Sequence, residues 1–382
     1  MGMLAPCDYP NTSYSKSTTR GSTLPDNPRT VVKGLDKISN PAQLGSIEQD
    51  VLDNGPGRGV RALCVNTGGG LRYRVLVDRG LDIDQAFFNQ HSLTYLAHQG
   101  VTPPTRALDR GLDWLKGFPV GLLVTCGPFN IGEPTRDGDE DLGLHGHHSK
   151  TAAELQCVEQ PDPRAGKLDM TVVGYVRYGQ LYGPRAVLKR TIRSTLGKNA
   201  IHFRDEVTNI HNEPTPHAWL LHINLGYPLV DEGARLCLDA DRPVPRDHAL
   251  SRDWFSGSTK RYLTVPAVQK SHRGAGRAFA YFPMRSRRKD GVVEPALLNK
   301  SLGMALVVSF STKQFPNFGT WQHWGPGEYV CAFEPMNGGV EGRDKDRAAN
   351  RMDCLQPGET RTYDYSVRVE TDAEVLQALS RR

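Results

Sequence analysis

An all-β fold, a large antiparallel β-sandwich with few short helices, is predicted by three features of the chain. Residues 61–65, 73–78, 167–177, 186–194 and 200–208 are short, rich in Val, Ile, Leu and Tyr, and roughly alternating, as half-buried strands are. Clusters of Gly, Pro, Asn and Asp punctuate them. Asp53-Asn54-Gly55-Pro56-Gly57 and Asn66-Thr67-Gly68-Gly69-Gly70 are turn chemistry, and Leu196-Gly197-Lys198-Asn199 separates two strands as a hairpin loop would. Helical periodicity is convincing only near the C-terminus, where Thr371 with Glu374 forms a capping-box signature ahead of Val375, Leu376 and Leu379. Without an alternating strand–helix rhythm, a parallel α/β architecture is excluded.

The first two dozen residues, rich in Ser, Thr, Asn and Pro, carry almost no apolar periodicity. Residues 1–25 therefore read as a disordered arm, and residues 26–382 as one sandwich domain. A length of 382 residues is compatible with one large β unit. The mean hydropathy of -0.48 and the shortness of every apolar run exclude a membrane-spanning helix. A net charge of +5, spread over 47 basic and 42 acidic residues, lacks the concentrated basic footprint of a nucleic-acid binder. Seven widely separated cysteines with no Cys-x-x-Cys pair argue against a disulfide framework and against a thiolate zinc site. With no charged start followed by an apolar stretch, a cytoplasmic location is expected.

Three residues stand out chemically. His145 lies in Leu144-His145-Gly146, where glycines at 143 and 146 let the backbone approach a ligand closely and leave the imidazole uncrowded. His222 lies on a strand in His222-Ile223-Asn224-Leu225. Glu334 ends an apolar strand in Phe333-Glu334-Pro335, and a carboxylate there is costly unless hydrogen-bonded or used; partial desolvation would move it toward the range of a general base. Their order, their local wording and the strand–turn–strand at residues 200–225 resemble the aldose 1-epimerase (galactose mutarotase-like) superfamily, most closely its longer branch built on a domain of unknown function. The closing Leu355-Gln356-Pro357-Gly358-Glu359 and the alternating strand after it extend the resemblance to about residue 370.

That resemblance implies a galactose mutarotase-like supersandwich and an isomerase that interconverts sugar anomers without a cofactor. Glu334 and His222 would be its acid–base pair, and His145 would stabilise charge on the ring oxygen or a neighbouring hydroxyl. Arg79, in Asp78-Arg79-Gly80-Leu81-Asp82, resembles the signature of the longer branch and is a candidate for holding sugar hydroxyls. Trp114 and Trp321 offer flat faces for a sugar ring, with Gln322, Asn224 and Asn337 as polar partners. A metal is the rival reading of the first motif, because His145 and His147 on an extended strand would point to one side as a His-x-His chelate. Other readings are a lyase, hydrolase or isomerase of keto or acidic sugars on the same scaffold, and a carbohydrate-binding protein without catalysis. A cationic pocket built from Arg79, Arg136 or Arg343 would favour an acidic substrate. The expected partner is a small sugar, with no nucleic acid and no membrane, and the sequence does not choose between monomer and homodimer.

Overall fold

The computed structural model describes residues 34–274 and 278–382. The arm expected at residues 1–25 lies outside the described residues. Three antiparallel sheets carry the architecture. Ser46–Val51, Arg61–Asn66, Leu71–Leu76, Asp82–Phe88 and His91–Ser92 pair in sequence order as a five-stranded meander. A nine-stranded sheet runs Arg235–Cys237, Ala296–Asn299, Met304–Ser311, Thr360–Glu370, Ala200–Asn209, Arg185–Thr195, Asp169–Gly179 and Ala153–Glu159, with Val292–Val293 added beside Met304–Ser311. A six-stranded sheet runs Val244–Pro245, Phe279–Tyr281, Asn317–Gly325, Glu328–Met336, Leu220–Gly226 and Val124–Cys126.

Alternation explains how these layers meet. In Arg185–Thr195 the buried positions are Ala186, Leu188, Arg190, Ile192 and Ser194, every second residue. Their apolar members join Leu221, Ile223, Leu225 and Phe333 of the six-stranded sheet in one continuous core. Inside that core sits an ionic knot. Arg190 is fully buried, donates twice to Asp205 at 2.7 Å and reaches Asp82 at 3.0 Å. Thr125 ties the knot to the six-stranded sheet, since its N–H donates to Asp82 and its hydroxyl accepts from Arg190.

The expected strands appear within a few residues of their predicted bounds. The segment expected at 73–78 instead ends its strand at Leu76 and turns through a 3-10 helix, Val77–Arg79, into Gly80 with φ +67°. The C-terminal helix, Ala373–Leu379, is capped by Asp372, whose carboxylate accepts from the N–H groups of Glu374 and Val375. Thr371, one residue earlier, falls outside the cap because the extended strand runs up to Glu370. Three further short helices, Ala249–Phe255, Thr259–Leu263 and Arg343–Ala348, lack an apolar stripe long enough to read from sequence. Among the described residues, no helix is long and apolar enough to cross a membrane.

Candidate active site

The six-stranded sheet has two dissimilar faces. Along Leu220–Gly226, the side chains of Leu221, Ile223 and Leu225 enter the sandwich core, so Leu220, His222 and Asn224 face the other way. Along Glu328–Met336, Cys331 and Phe333 enter the core, while Glu334 and Met336 face away. The register sets Leu220 opposite Met336 and Asn224 opposite Ala332, which makes His222 and Glu334 cross-strand neighbours. His222 Nε2 stands 3.5 Å from Glu334 Oε1. Trp321, opposite Ala332 on the next strand, closes one side of His222 at a ring separation of 5.6 Å.

Above this face lies a cleft of about 130 Å³. His145 enters it from a loop rather than a strand. Its φ is +59° and that of Gly146 is +71°, a left-handed pair that interrupts strand alternation. Main-chain bonds hold this unusual backbone: His145 N–H donates to Gly132 O at 3.1 Å, and Gly127 N–H donates to His145 O at 3.1 Å. Gly132 N–H also donates to His145 Nδ1 at 3.2 Å, so the neutral ring carries its proton on Nε2. Gly132 must be glycine. Its φ is +78°, and a Cβ there would fall 2.4 Å from Val340 Cα. The imidazoles of His145 and His222 meet edge to face at 5.9 Å, with Trp114 packed 4.7 Å from His145 and Phe118 5.3 Å from His222.

Burial sets the charges. Removal from water pushes the Glu334 carboxyl up to about 8, against a smaller downward pull from Arg246. It pushes His222 down to about 4, opposed by its contact with Asn224. His145 is held well below the ordinary histidine range by desolvation first, then by His222, Arg246 and Lys150. Around neutral pH the Glu334–His222 pair therefore holds a single proton. One partner of that pair can accept while the other donates.

The structure brings together His145, His222, Glu334, Trp114 and Trp321 in this cleft. The other expected contacts do not line it. Arg79 is buried beneath the loop that carries Trp114, donating to Gly117 O at 2.6 Å and to Thr102 O and Oγ1 at 3.1 Å. It anchors that loop. Asn224 lies on the His222 side but is fully buried and donates to Gly121 O and His222 O. Gln322 points to the opposite face from Trp321, accepting from Trp254 Nε1 at 2.8 Å and donating to Tyr262 O. Asn337 accepts from Trp219 N–H at 2.7 Å and donates to Tyr363 OH. Each has exchanged water for internal partners.

The metal alternative meets the same geometry. Because His145 and Gly146 are left-handed, His147 turns into a separate polar cavity of about 300 Å³. Among the described residues, no group of three or more His, Cys, Asp or Glu side chains is placed to hold a metal ion. Of the arginines suggested for an acidic substrate, Arg343 borders that second cavity and pairs with Asp137 and Glu140, and Arg136 is an exposed neighbour of Asp141.

Phe118, Phe279, Glu133 and Arg246 are among the lining residues that the sequence did not single out. Arg246 Nη2 meets Glu133 Oε1 at 2.5 Å at the cleft wall. Glu133 stands in Glu133-Pro134, the same wording as Glu334-Pro335, and that repetition was a readable signal. Arg246 follows a two-residue edge strand and had none.

Solved structures share this architecture. A candidate aldose 1-epimerase from Klebsiella pneumoniae superposes with a TM-score of 0.77 at 22% identity, covering 90% of this chain and 88% of its own. A galactose mutarotase-like protein from Clostridium acetobutylicum gives 0.58 at 12% identity, with 85% and 98% covered. The galactose 1-epimerase from Lactobacillus acidophilus gives 0.52 at 12% identity, with 85% and 98% covered. The fold is thus the galactose mutarotase-like β-sandwich that the sequence resemblance implied. No curated protein matches the chain in sequence. A family model does match, over residues 57–369, and the chain accordingly belongs to the family described as domain of unknown function DUF4432.

Proposed function

We propose that the protein opens and recloses the hemiacetal of a small reducing sugar, exchanging its anomers. The observation that carries this reading is the cross-strand pair of Glu334 and His222, 3.5 Å apart in an apolar cleft, with burial shifting the two groups in opposite directions. Two further supports are the neutral Nε2–H that His145 turns to the cleft and the mutarotase-like fold.

Burial favours the proton on Glu334; its transfer across the pair to His222 frees the Glu334 carboxylate to remove the proton of the anomeric hydroxyl while the imidazolium protonates the ring oxygen. The C1–O5 bond breaks and a carbonyl forms at C1. Rotation about C1–C2 presents the other face, and reclosure returns both protons. With the proton on Glu334 the same transfer runs in the opposite sense, as reclosure requires. His145 donates from Nε2 to charge developing on a substrate oxygen, and each positioned group supplies on the order of a hundred- to ten-thousand-fold. Trp114, Phe118 and Trp321 exclude water and stack against the ring.

Saturation-transfer NMR of anomer exchange in aldoses, ketoses and uronates tests this, with wild type beside Glu334→Gln and His222→Asn. Acceleration that each substitution reduces at least a hundredfold is expected. Absence of exchange on every sugar, or exchange indifferent to both substitutions, would move the protein to another sugar reaction or to binding alone.

A further inference from the structure

The order of the strands gives the cleft a direction. Its floor crosses the six-stranded sheet from Glu334, on Glu328–Met336, over Trp321, on Asn317–Gly325, and Phe279, on Phe279–Tyr281, to Arg246 just past the edge strand Val244–Pro245. Register fixes the crossing. Gly319 stands opposite Glu334, Phe279 stands opposite Trp321, and Arg246 N–H donates to Phe279 O at 3.1 Å. Gly319 leaves its share of the floor to the Phe279 ring, since a Cβ there would fall 2.1 Å from Phe279 Cζ. An aromatic platform thus separates Glu334 from Arg246, whose main chains lie three strands apart, about 14 Å at the usual spacing.

Arg246 reaches from the sheet edge to the loop of Gly132, the residue that bonds His145, and pairs there with Glu133 at 2.5 Å. The two side chains keep 18% and 21% of their surface, and both line the cleft. The guanidinium also pulls Glu334 and His145 down, so its charge is felt at the reacting end. A guanidinium beside a carboxylate sets donors next to acceptors, a pattern that two adjacent hydroxyls complement, since each hydroxyl both donates and accepts. In a pyranose ring the bond opposite C1–O5 is C3–C4. When Glu334 and His222 hold the anomeric and ring oxygens, the hydroxyls turned to the far wall are therefore those on C3 and C4.

We propose that the Arg246–Glu133 pair is the specificity-determining subsite for the vicinal C3 and C4 hydroxyls of a pyranose lying on Phe279 and Trp321 with its C1–O5 edge at Glu334 and His222. The inference rests on the anomer-exchange reading of the same cleft. Arg246 and Glu133 act here through binding and leave proton transfer to the other end of the ring.

The test deletes hydroxyls from the sugar and the guanidinium from the protein, separately and together. The probe is whichever of glucose, galactose and mannose is exchanged fastest, beside its 2-, 3-, 4- and 6-deoxy analogues, with kcat/KM for anomer exchange measured near neutral pH. In wild type, loss of the C3 or C4 hydroxyl should cost about tenfold or more, as a hydrogen bond to a charged group would. In Arg246→Met, which keeps the apolar stem, that penalty should shrink to about threefold or less, while the 2-deoxy and 6-deoxy ratios stay as in wild type. Any change that the substitution makes at Glu334 falls on parent and analogue alike and cancels from the ratio. Glu133→Gln is the second variant, should the first fold poorly, and should also shrink the C3 or C4 penalty. Penalties at C3 and C4 that neither variant alters, or a coupling that follows the C2 or C6 hydroxyl instead, overturn the subsite and leave anomer exchange standing. No exchange on any of the three parent sugars overturns the underlying reading for hexoses, and the subsite with it.

Discussion

Replacing Glu334 by Gln should make the protein more stable, and the gain should depend on pH. The carboxyl is 2% exposed and burial raises it from an ordinary 4.5 to about 8. Between those values the folded protein keeps a proton that the unfolded chain has released, so wild-type stability falls as pH rises through the window. At ~1.36 kcal/mol per tenfold in proton affinity, the full interval sets an upper limit on the order of 5 kcal/mol. Water entering with the ionised carboxylate would reduce this, and about 2–4 kcal/mol is expected. His222, held down to about 4, acts in the other direction, its contribution being lost as pH falls below the ordinary histidine range; both proteins share it, so it cancels from their difference. Urea denaturation followed by far-UV circular dichroism, at intervals from pH 4.5 to 9, measures that difference. The two proteins should nearly coincide at pH 4.5, diverge steadily, and reach a constant gap above pH 8 with the Gln variant more stable. A gap that does not change with pH, or a Gln variant less stable at pH 9, would refute the desolvated carboxylate and the one-proton pair with it.

The same pair predicts a plateau of kcat/KM between about pH 4 and 8, because a second proton removes the base below it and loss of the last removes the acid above it. Arg246→Met should carry the alkaline limb to higher pH, since the guanidinium holds Glu334 down; an unmoved limb in a pH–rate profile would assign it to another group. Arg79→Met should raise KM severalfold with a smaller change in kcat and lower the melting temperature, because hydrogen bonds from a charged group, about 1.5–3 kcal/mol each, tie the Trp114 loop down through Gly117 and Thr102. A kcat collapse at unchanged KM would instead place Arg79 in the chemistry. His147→Ala should leave exchange rates within about twofold, as its ring belongs to the neighbouring cavity; a large loss would revive a His145–His147 metal site.

Legibility in the sequence followed the range of the forces involved. Strand alternation and turn chemistry are local, so the sandwich and most strand bounds could be read directly. That His145, His222 and Glu334 come together was implied by the family resemblance of their order and local wording, with the glycines around the first and the apolar strand before the last visible in the sequence itself. Polar residues beside those motifs read as ligand contacts, and the structure places them outside the cleft lining for a common reason. Asn224, Gln322, Asn337 and Arg79 each bond main-chain groups or buried side chains brought in from distant segments. For Gln322 the alternation rule already held the answer. With Trp321 facing the cleft, its neighbour on the same strand had to face the core. Arg246 is the opposite case, an ordinary arginine made significant only by a partner over a hundred positions earlier.

The two-faced sheet gives the protein a separation useful for engineering. Along the strands that carry His222, Trp321 and Glu334, neighbouring positions serve different ends, one lining the cleft and the next packing the folded core. A library confined to the cleft-facing parity, with Phe279, Arg246 and Glu133, can vary the cleft while Leu221, Ile223 and Phe333 go on holding the sandwich together. A frameshift of a single residue in such a library would reverse its meaning, turning a search for specificity into a survey of unfolding.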